Sequence, residues 1–459
     1  MGVPTDREAE QLQKRSAPTI SHIEVSGFKS IRDPLRIALR PLTLLAGQNS
    51  AGKSSALQPL LLLKQTLEAP HDPGPLLLDG ACVKVSLAAD LFWRAGRAQP
   101  RSPREWTVGV QVAGATRSTT RARSTFGLRG GRLALLATEA WVVGRDEPVR
   151  LWPGMPEPAL RDAAQVAFPG FLKMVDEPDS GLKLAVVAER GCVRVRLEAV
   201  RGTASWVTGE YAPLAIDPIR ELIHLPGLRG NPERSYPVTG VTSRYLGSFH
   251  PYTASVLLAW QDGDDALLGA VGDDLAALGL TWKVVPSRVD DTRVAVRVGR
   301  LPKARRGGAA DLVNIADVGF GASQVLPVVV ALRAARPGQL VHIEQPEIHL
   351  HPNAQVEMAR LLVAAAQRGV RLVVETHSAV LLKAIQIEVA EGRLAAEDVA
   401  LHWFTRAADG ATVVAPGQLD PAGAYGDWPV DFADVELGIE QRYIDAAFAK
   451  LGGAALGQG

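Results

Sequence analysis

The residues best equipped for chemistry lie in one run of eight, Gly47-Gln48-Asn49-Ser50-Ala51-Gly52-Lys53-Ser54. Their spacing is G-x-x-x-x-G-K-[ST], in which glycines let the backbone curl so that successive N–H groups point at phosphate oxygens. In such a loop the lysine reaches the β- and γ-phosphates and the serine hydroxyl holds Mg²⁺, so ATP and Mg²⁺ are the expected ligands. The candidate cradle is Gly47, Asn49, Ser50, Ala51, Gly52, Lys53, Ser54 and Ser55. A plain glycine-rich turn is the alternative. Against it stand the apolar strand Leu42–Leu45 before the loop and a helix-like run, Ser55 to Leu67, after it, whose dipole would add positive potential. Pro59 falls early in that helix and predicts a kink or a short first turn.

A second set of polar residues also follows apolar runs. Asp317 to Gln324 leads into a helix over Val325–Ala335. The strand Leu340–Ile343 ends in Glu344-Gln345-Pro346-Glu347, and a turn at His351-Pro352 precedes a helix with Asn353 as N-cap and Gly369 as stop. Val370–Val374 is a further strand, ending in Glu375-Thr376-His377-Ser378. Polar groups thus gather past the carboxyl ends of apolar strands, the edge at which open α/β sheets bind ligands.

The elements that must hold these residues are legible in outline. Residues 1–18 are polar and aperiodic, a disordered N-terminus. Ile20–Val25 and Leu35–Leu39 read as strands ahead of the loop. Breakers from Glu68 to Pro75 close that segment, and short alternating pieces separated by Gly, Pro and Arg then run to Arg306, a mainly antiparallel texture without heptads. Within it Arg94, Arg97, Arg101, Arg104, Arg117, Arg121, Arg123, Arg129 and Arg132 have Glu105 as their one acidic neighbour in sequence, either a phosphate-contacting patch for nucleic acid or a solvated surface. Leu225–Tyr236 is a long loop carrying Arg229 and Arg234, Lys303–Gly308 a basic linker, and Ala433–Lys450 an acid-studded helix. The divisions are therefore an α/β head in two parts, 19–90 and 310–410, a β-rich insertion, 91–309, and a C-terminal helical extension, 411–459.

At 459 residues and 47% hydrophobic content the chain can bury a large core, and a net charge of +1 excludes a globally basic nucleic-acid binder. Cys82 and Cys192 lie far apart with no C-x-x-C, which predicts reduced thiols and a cytoplasmic location. The longest apolar runs are too short for a membrane span. Asp6 stands where a myristoylation motif needs Ser or Thr.

The ordered set of phosphate loop, G-x-G-x-S-Q before a helix, strand-end acid and strand-end histidine resembles the ATP-binding-cassette class of ATPase head, nearest its SMC, RecF and OLD branches. GFKSIRD, IEQPEIHLHPNAQ and ETHS resemble more closely the OLD-like AAA-type ATPases of bacterial defence loci, over roughly residues 19–90 and 310–405. That resemblance implies an ABC-type P-loop ATPase head that hydrolyses ATP and forms a head-to-tail homodimer or higher homo-oligomer. It also implies a separate effector, such as a nuclease, and a setting in antiviral defence. Glu344 matches the Mg²⁺-holding acid and His377 the γ-phosphate switch. Gly321, Ser323 and Gln324 match the signature that caps a partner subunit's ATP, while Lys29 and Ser30 match a segment beside the phosphates. By their own types, His377 is equally a polar strand end and Ser323 an N-cap.

Two departures stand out. Gln345 occupies the place of the general-base glutamate, and a neutral amide orients water without accepting its proton, so slow turnover is expected, with Glu347 the nearest alternative base. About eighty residues follow His377 without a D-x-D cluster, which argues against a C-terminal TOPRIM nuclease domain. His349 and His351 lack companions at ligand spacing and read as turn residues.

Overall fold

The computed structural model describes residues 18–94, 105–114, 119–201, 204–242, 244–263, 265–301, 311–425 and 441–446. Residues 1–17 of the predicted N-terminus and the basic linker Lys303–Gly308 lie outside them, as does most of the acid-studded helix, of which residues 441–446 are helical and exposed.

The described chain enters as an antiparallel pair, β1 (Thr19–Ser26) and β2 (Leu35–Ala38), with Ile20, Ile23, Val25 and Ile37 buried. β3 (Leu42–Gly47) then delivers the phosphate loop to α1 (Lys53–Glu68). The helix is not cut short at Pro59, because α1 runs through it. Proline at that position removes one N–H, directed at Ser55, and burial of Leu57, Leu60, Leu61 and Leu63 on both sides holds the remaining turns.

β4 (Glu105–Ala113), β5 (Thr119–Arg129), β6 (Arg132–Val142) and β7 (Val149–Leu151) extend the opening pair into one six-stranded sheet, ordered β2-β1-β4-β5-β6-β7. The predicted boundary at residue 91 therefore cuts a continuous sheet. β2 takes one edge of β1 and β4 takes the other, from Thr19↔Ala113 to Ser26↔Thr107, leaving neither row of backbone groups unpaired. Trp106 joins the two segments, its ring 5.0 Å from Phe28 edge-on and 4.5 Å from Phe126 in a stack.

A three-stranded meander follows, β8 (Leu182–Glu189), β9 (Cys192–Arg201) and β10 (Ala204–Tyr211), and then the short β11 (Ile223–Leu225). β12 (Tyr236–Pro237), β13 (Val284–Arg288), β14 (Arg293–Gly299) and β15 (Leu312–Asn314) make a small sheet around helices α2 (Thr253–Gly263) and α3 (Asp265–Ala277). The remainder alternates: α4 (Phe320–Ala334), β16 (Leu340–Glu344), α5 (Pro352–Gln367), β17 (Arg371–Thr376), α6 (Ala379–Ala390), β18 (Val399–Arg406) and β19 (Thr412–Gly417). α5 starts one turn feature earlier than predicted. Its N-cap is His351, whose Nδ1 accepts the Asn353 N–H at 3.3 Å, with Pro352 in the first helical position where a missing N–H costs nothing.

The central sheet has the order β11-β16-β17-β3-β18-β19, parallel throughout except for β19. β11 comes from inside the predicted insertion and β19 from the predicted C-terminal extension, so both of those divisions lend a strand to the core. Apolar, β-branched runs suit a sheet covered on both faces. Leu42, Leu44, Val341, Ile343, Leu372 and Val374 pack with α2 to α6, whereas Leu45, Leu340 and Val373 pack with α1. No described helix is long and apolar enough to cross a membrane.

Candidate functional site

The loop after β3 depends on backbone shapes that side chains resist. Gly47 (φ 136°) approaches β18 so closely that a Cβ would lie 2.0 Å from the Phe404 carbonyl, and at Gly52 (φ 102°) one would lie 2.2 Å from Thr412 Oγ1. Ser50 adopts φ 58° without that freedom. Thr412 fastens the loop to the opening hairpin, donating from Oγ1 to the Ala51 carbonyl at 2.8 Å and standing 2.8 Å from Ser30 Oγ.

Around this loop lies a cleft of about 820 Å³, lined by Lys29, Ser30, the loop from Ser50 to Ser55, Glu344, Gln345, Glu375 and His377. Asn49 is exposed and Gly47 buried beneath the loop. Lys53 is 6% exposed and donates to the carbonyls of Gly47 (3.0 Å) and Gln48 (2.8 Å). Burial holds its pKa down to about 8, against the opposing charges of Glu375 and Glu347. Lys29, at φ 49°, donates to Gln58 Oε1 at 2.6 Å. Burial and the Lys53 charge lower the pKa of His377, despite its bond to the Gly47 backbone and the Glu375 charge, so a neutral imidazole faces the loop near pH 7.

The carboxylates are arranged differently from the expectation. Glu344 lines the cleft, but its Oε1 lies 3.1 Å from His224 Nε2 and its Oε2 accepts the Gly227 N–H at 3.1 Å. Burial would raise its pKa, yet the His224 bond, the two histidine charges and the Gly227 N–H bring it to about 2. Ser54, the other predicted Mg²⁺ group, donates its hydroxyl to Glu375 Oε2 at 2.7 Å. Glu347 does not line the cleft: its Oε1 accepts from Thr376 Oγ1 (2.7 Å) and the His377 N–H (2.9 Å). Gln345, at φ 46°, begins the turn that carries Glu347 back under the end of β17, with Ile348 N–H on its carbonyl at 3.3 Å. A role for Glu347 as base therefore lacks the geometry, and its place is beneath the histidine.

Gly321, Ser323 and Gln324 stay apart from the phosphate loop of their own chain. Ser323 and Gln324 instead line a second cavity, of about 430 Å³, with Arg229, Thr253 and Pro327. Gly319 caps α4, so Ser323 is not its N-cap. Ser323 Oγ donates to the Phe320 carbonyl at 3.0 Å, and Gln324 Nε2 to the Gly230 carbonyl at 2.7 Å. Arg229, read in sequence merely as part of a loop, is 5% exposed and donates to the carbonyls of Gln324 (3.2 Å) and Glu344 (2.7 Å). It ties α4 to the end of β16 that bears Glu344. Thr412, Arg229 and the cleft residues Trp93 and Arg406 belong to the site's surroundings but to no contiguous motif, and Glu375, within ETHS, had no role assigned from sequence.

Three of the five described arginines of the run are paired, while Arg129 and Arg132 are exposed. Arg121 meets Glu24 at 2.5 Å, Arg123 meets Glu139 at 2.5 Å, and Arg94 meets Asp90 at 2.9 Å. Sequence neighbours hid this, because Glu24 and Glu139 arrive from adjacent strands. Arg97, Arg101, Arg104 and Arg117 lie outside the described residues.

The oxygens of Ser54 and Glu375 suit a hard cation. They meet at the cleft through a hydrogen bond of 2.7 Å, and a hydroxyl and a carboxylate are the oxygen donors that Mg²⁺ takes. A G-K-S loop between a parallel strand and its helix, with carboxylates and a histidine on the neighbouring strand ends, defines a P-loop ATPase-type domain of the α/β class. A family model described as AAA domain, putative AbiEii toxin, Type IV TA system matches residues 304–383, which hold the signature-like segment, Glu344 and His377. Among solved structures, the chain is similar to an Smc head bound to the C-terminal winged-helix domain of ScpA, at 14% identity and a TM-score of 0.48, covering 88% of this chain and 99% of that one. It is also similar to the SMC head domain from Thermotoga maritima, at 10% identity and a TM-score of 0.41, covering 87% and 100%. An Smc head with an extended coiled coil, bound to the C-terminal domain of ScpA and derived from Pyrococcus furiosus, has 12% identity and a TM-score of 0.45, covering 88% and 97%. No curated protein matches.

Proposed function

We propose that this protein is an ATP-dependent molecular switch, a slow ATPase that dimerises head-to-tail on ATP and controls a separate effector in antiviral defence. The observation that carries the nucleotide reading is the single cleft in which Lys53, Ser54, Glu344, Glu375 and His377 meet. Bound Mg²⁺ would neutralise charge on the β- and γ-phosphates, and oxygens at Ser54 and the strand-end acids are the groups that would hold it. Lys53 would turn from its own loop carbonyls to the phosphates. Neutral His377, its backbone N–H held by Glu347, carries one ring N–H, which would turn from the Gly47 backbone to the γ-phosphate. Gln345 would orient water without taking its proton, which supports slow turnover.

Dimerisation is supported by the separation of Ser323 and Gln324 from the cleft of their own chain, since a capping role would need a second copy. The defence setting rests on the resemblance of GFKSIRD, IEQPEIHLHPNAQ and ETHS to OLD-like ATPases. The matched family model, over residues 304–383, is described by a putative toxin of a Type IV TA system. A second reading, a nucleotide-binding scaffold that does not hydrolyse, is favoured by Gln345 alone. A DNA-repair ATPase gains little from the paired arginines. Turnover by purified protein with and without DNA, together with mass in solution with and without ATP and Mg²⁺, tests all three. Steady hydrolysis, unaffected by DNA, with ATP-dependent doubling of mass is the expected result. Absence of nucleotide binding would remove the switch.

A further inference from the structure

The two strand-end acids sit at unequal distances from the loop. β17 is hydrogen-bonded directly to β3, with Glu375 in register with Leu45, whereas β16 is one strand further away, with Glu344 in register with Glu375. Neighbouring strands lie about 4.8 Å apart, so Glu344 must reach across twice the distance that Glu375 does. Glu375 is also already in contact with Ser54: it is 3% exposed, and its Oε2 accepts the Ser54 hydroxyl at 2.7 Å.

Behind the acids the same register builds a histidine layer. His224 pairs with His342 across β11 and β16, and their rings stack at 5.3 Å. His224 takes Glu344 at 3.1 Å and His342 takes Glu375 at 3.0 Å, each from the side away from the loop. Two adjacent carboxylates would repel one another, and a histidine behind each offsets that repulsion and fixes its direction. Glu344 spends its other oxygen on the Gly227 N–H, while Glu375 spends its own on Ser54. The chain therefore lacks a carboxylate at Gln345, the position after the expected metal acid, and has one at Glu375, nearer the loop.

We infer that Glu375, with Ser54, is the principal carboxylate holding the divalent cation of the nucleotide, and that Glu344 serves as an outer support that fastens the strand end to the Gly227–Arg229 loop. His342 is a positioning residue that aims Glu375. This rests on the ATPase reading and reassigns the metal duty within it.

The test uses the full chain and Mn²⁺, followed by its paramagnetic resonance signal in the presence of ADP, beside the affinity for fluorescent ADP in excess chelator. Glu375→Gln keeps an oxygen that can accept from Ser54, so the loop retains its shape. It should weaken Mn²⁺ by about tenfold or more while metal-free ADP affinity stays within about threefold. Glu344→Gln should weaken Mn²⁺ less. Glu375→Asp, which keeps the charge and loses reach, should fall between parent and Glu375→Gln, and it serves as the measurement if the amide variant does not fold. His342→Ala should lower Mn²⁺ affinity in the same direction as Glu375→Gln. A larger loss in Glu344→Gln than in either Glu375 variant overturns the assignment and leaves the ATPase reading intact. A parent that binds no ADP at all overturns both.

Discussion

Replacing Arg229 with methionine separates two roles that burial confounds. The guanidinium makes two well-formed bonds to carbonyls, at 2.7 Å to Glu344 and 3.2 Å to Gln324, and a third contact of 3.5 Å to Gln345 that is near the limit of a hydrogen bond. Charge-assisted bonds contribute about 1.5–3 kcal/mol each, so the good pair is worth roughly 3–6 kcal/mol. Burial acts against them. It holds the Arg229 pKa down to about 10 from 12.5, even with Glu344 and Glu347 nearby, a shift equivalent to about 3 kcal/mol against the charged form. The opposing terms leave roughly 0–3 kcal/mol, and methionine refills much of the volume. Arg229→Met should therefore lower the unfolding free energy in urea by about 1–2 kcal/mol, within the range of ordinary substitutions. The larger effect should be on coupling. Without Arg229 the Gln324 end of α4 is no longer fastened to the Glu344 carbonyl, so ATP should still bind but should lose most of its power to drive association. Light scattering with and without ATP measures the second effect. A loss of more than about 4 kcal/mol accompanied by normal ATP-driven association would show that Arg229 is a structural strut, and the proposed coupling would be wrong.

Further outcomes follow from the same geometry. Lys53→Ala should abolish ATP binding while leaving the urea midpoint near that of the parent, because Lys53 bonds only to carbonyls of its own loop among the contacts described; nucleotide affinity in a folded mutant decides it. Ser323→Arg should block ATP-driven doubling of mass without changing ATP affinity, since Ser323 lines the second cavity and not the cleft. Glu347→Gln retains an acceptor for Thr376 and the His377 N–H, so single-turnover hydrolysis should stay near the parent rate. Glu347→Ala leaves those donors unpaired at a cost of about 1–3 kcal/mol and should slow it. Gln345→Glu should speed hydrolysis, and equal rates in parent and mutant would mean that a base at 345 is not what limits turnover. Burial pushes the Cys82 thiol up to about 12 and raises that of Cys192, so neither should react with maleimide at pH 7.5 in the native protein, and both should react in urea; rapid native labelling would contradict the packing around them.

What could be read in the chain beforehand was whatever is encoded contiguously. Eight consecutive residues announce the phosphate loop, and a strand followed by polar residues announces the ligand edge, so Lys53, Ser54, Glu344 and His377 are candidates from the sequence, and the fold places them in one cleft. Most of the misplacements depend on which strand lies beside which, and one on a turn. Arg121 and Arg123 look unopposed along the sequence because Glu24 and Glu139 reach them across sheet pairings. The division at residue 91 fails because β1 offers a free edge that a later strand fills. Glu347 looked available as a base because it is two residues from Gln345, yet the left-handed Gln345 turns the chain so that the carboxylate faces the switch backbone. Glu375 is the most instructive case. Its type and strand-end place were visible, but its importance comes from β17 lying next to β3, which no spacing within ETHS can express. Strand order decides which acid is nearest Ser54, and in this chain that order favours the residue on the switch strand over the one in the acid motif.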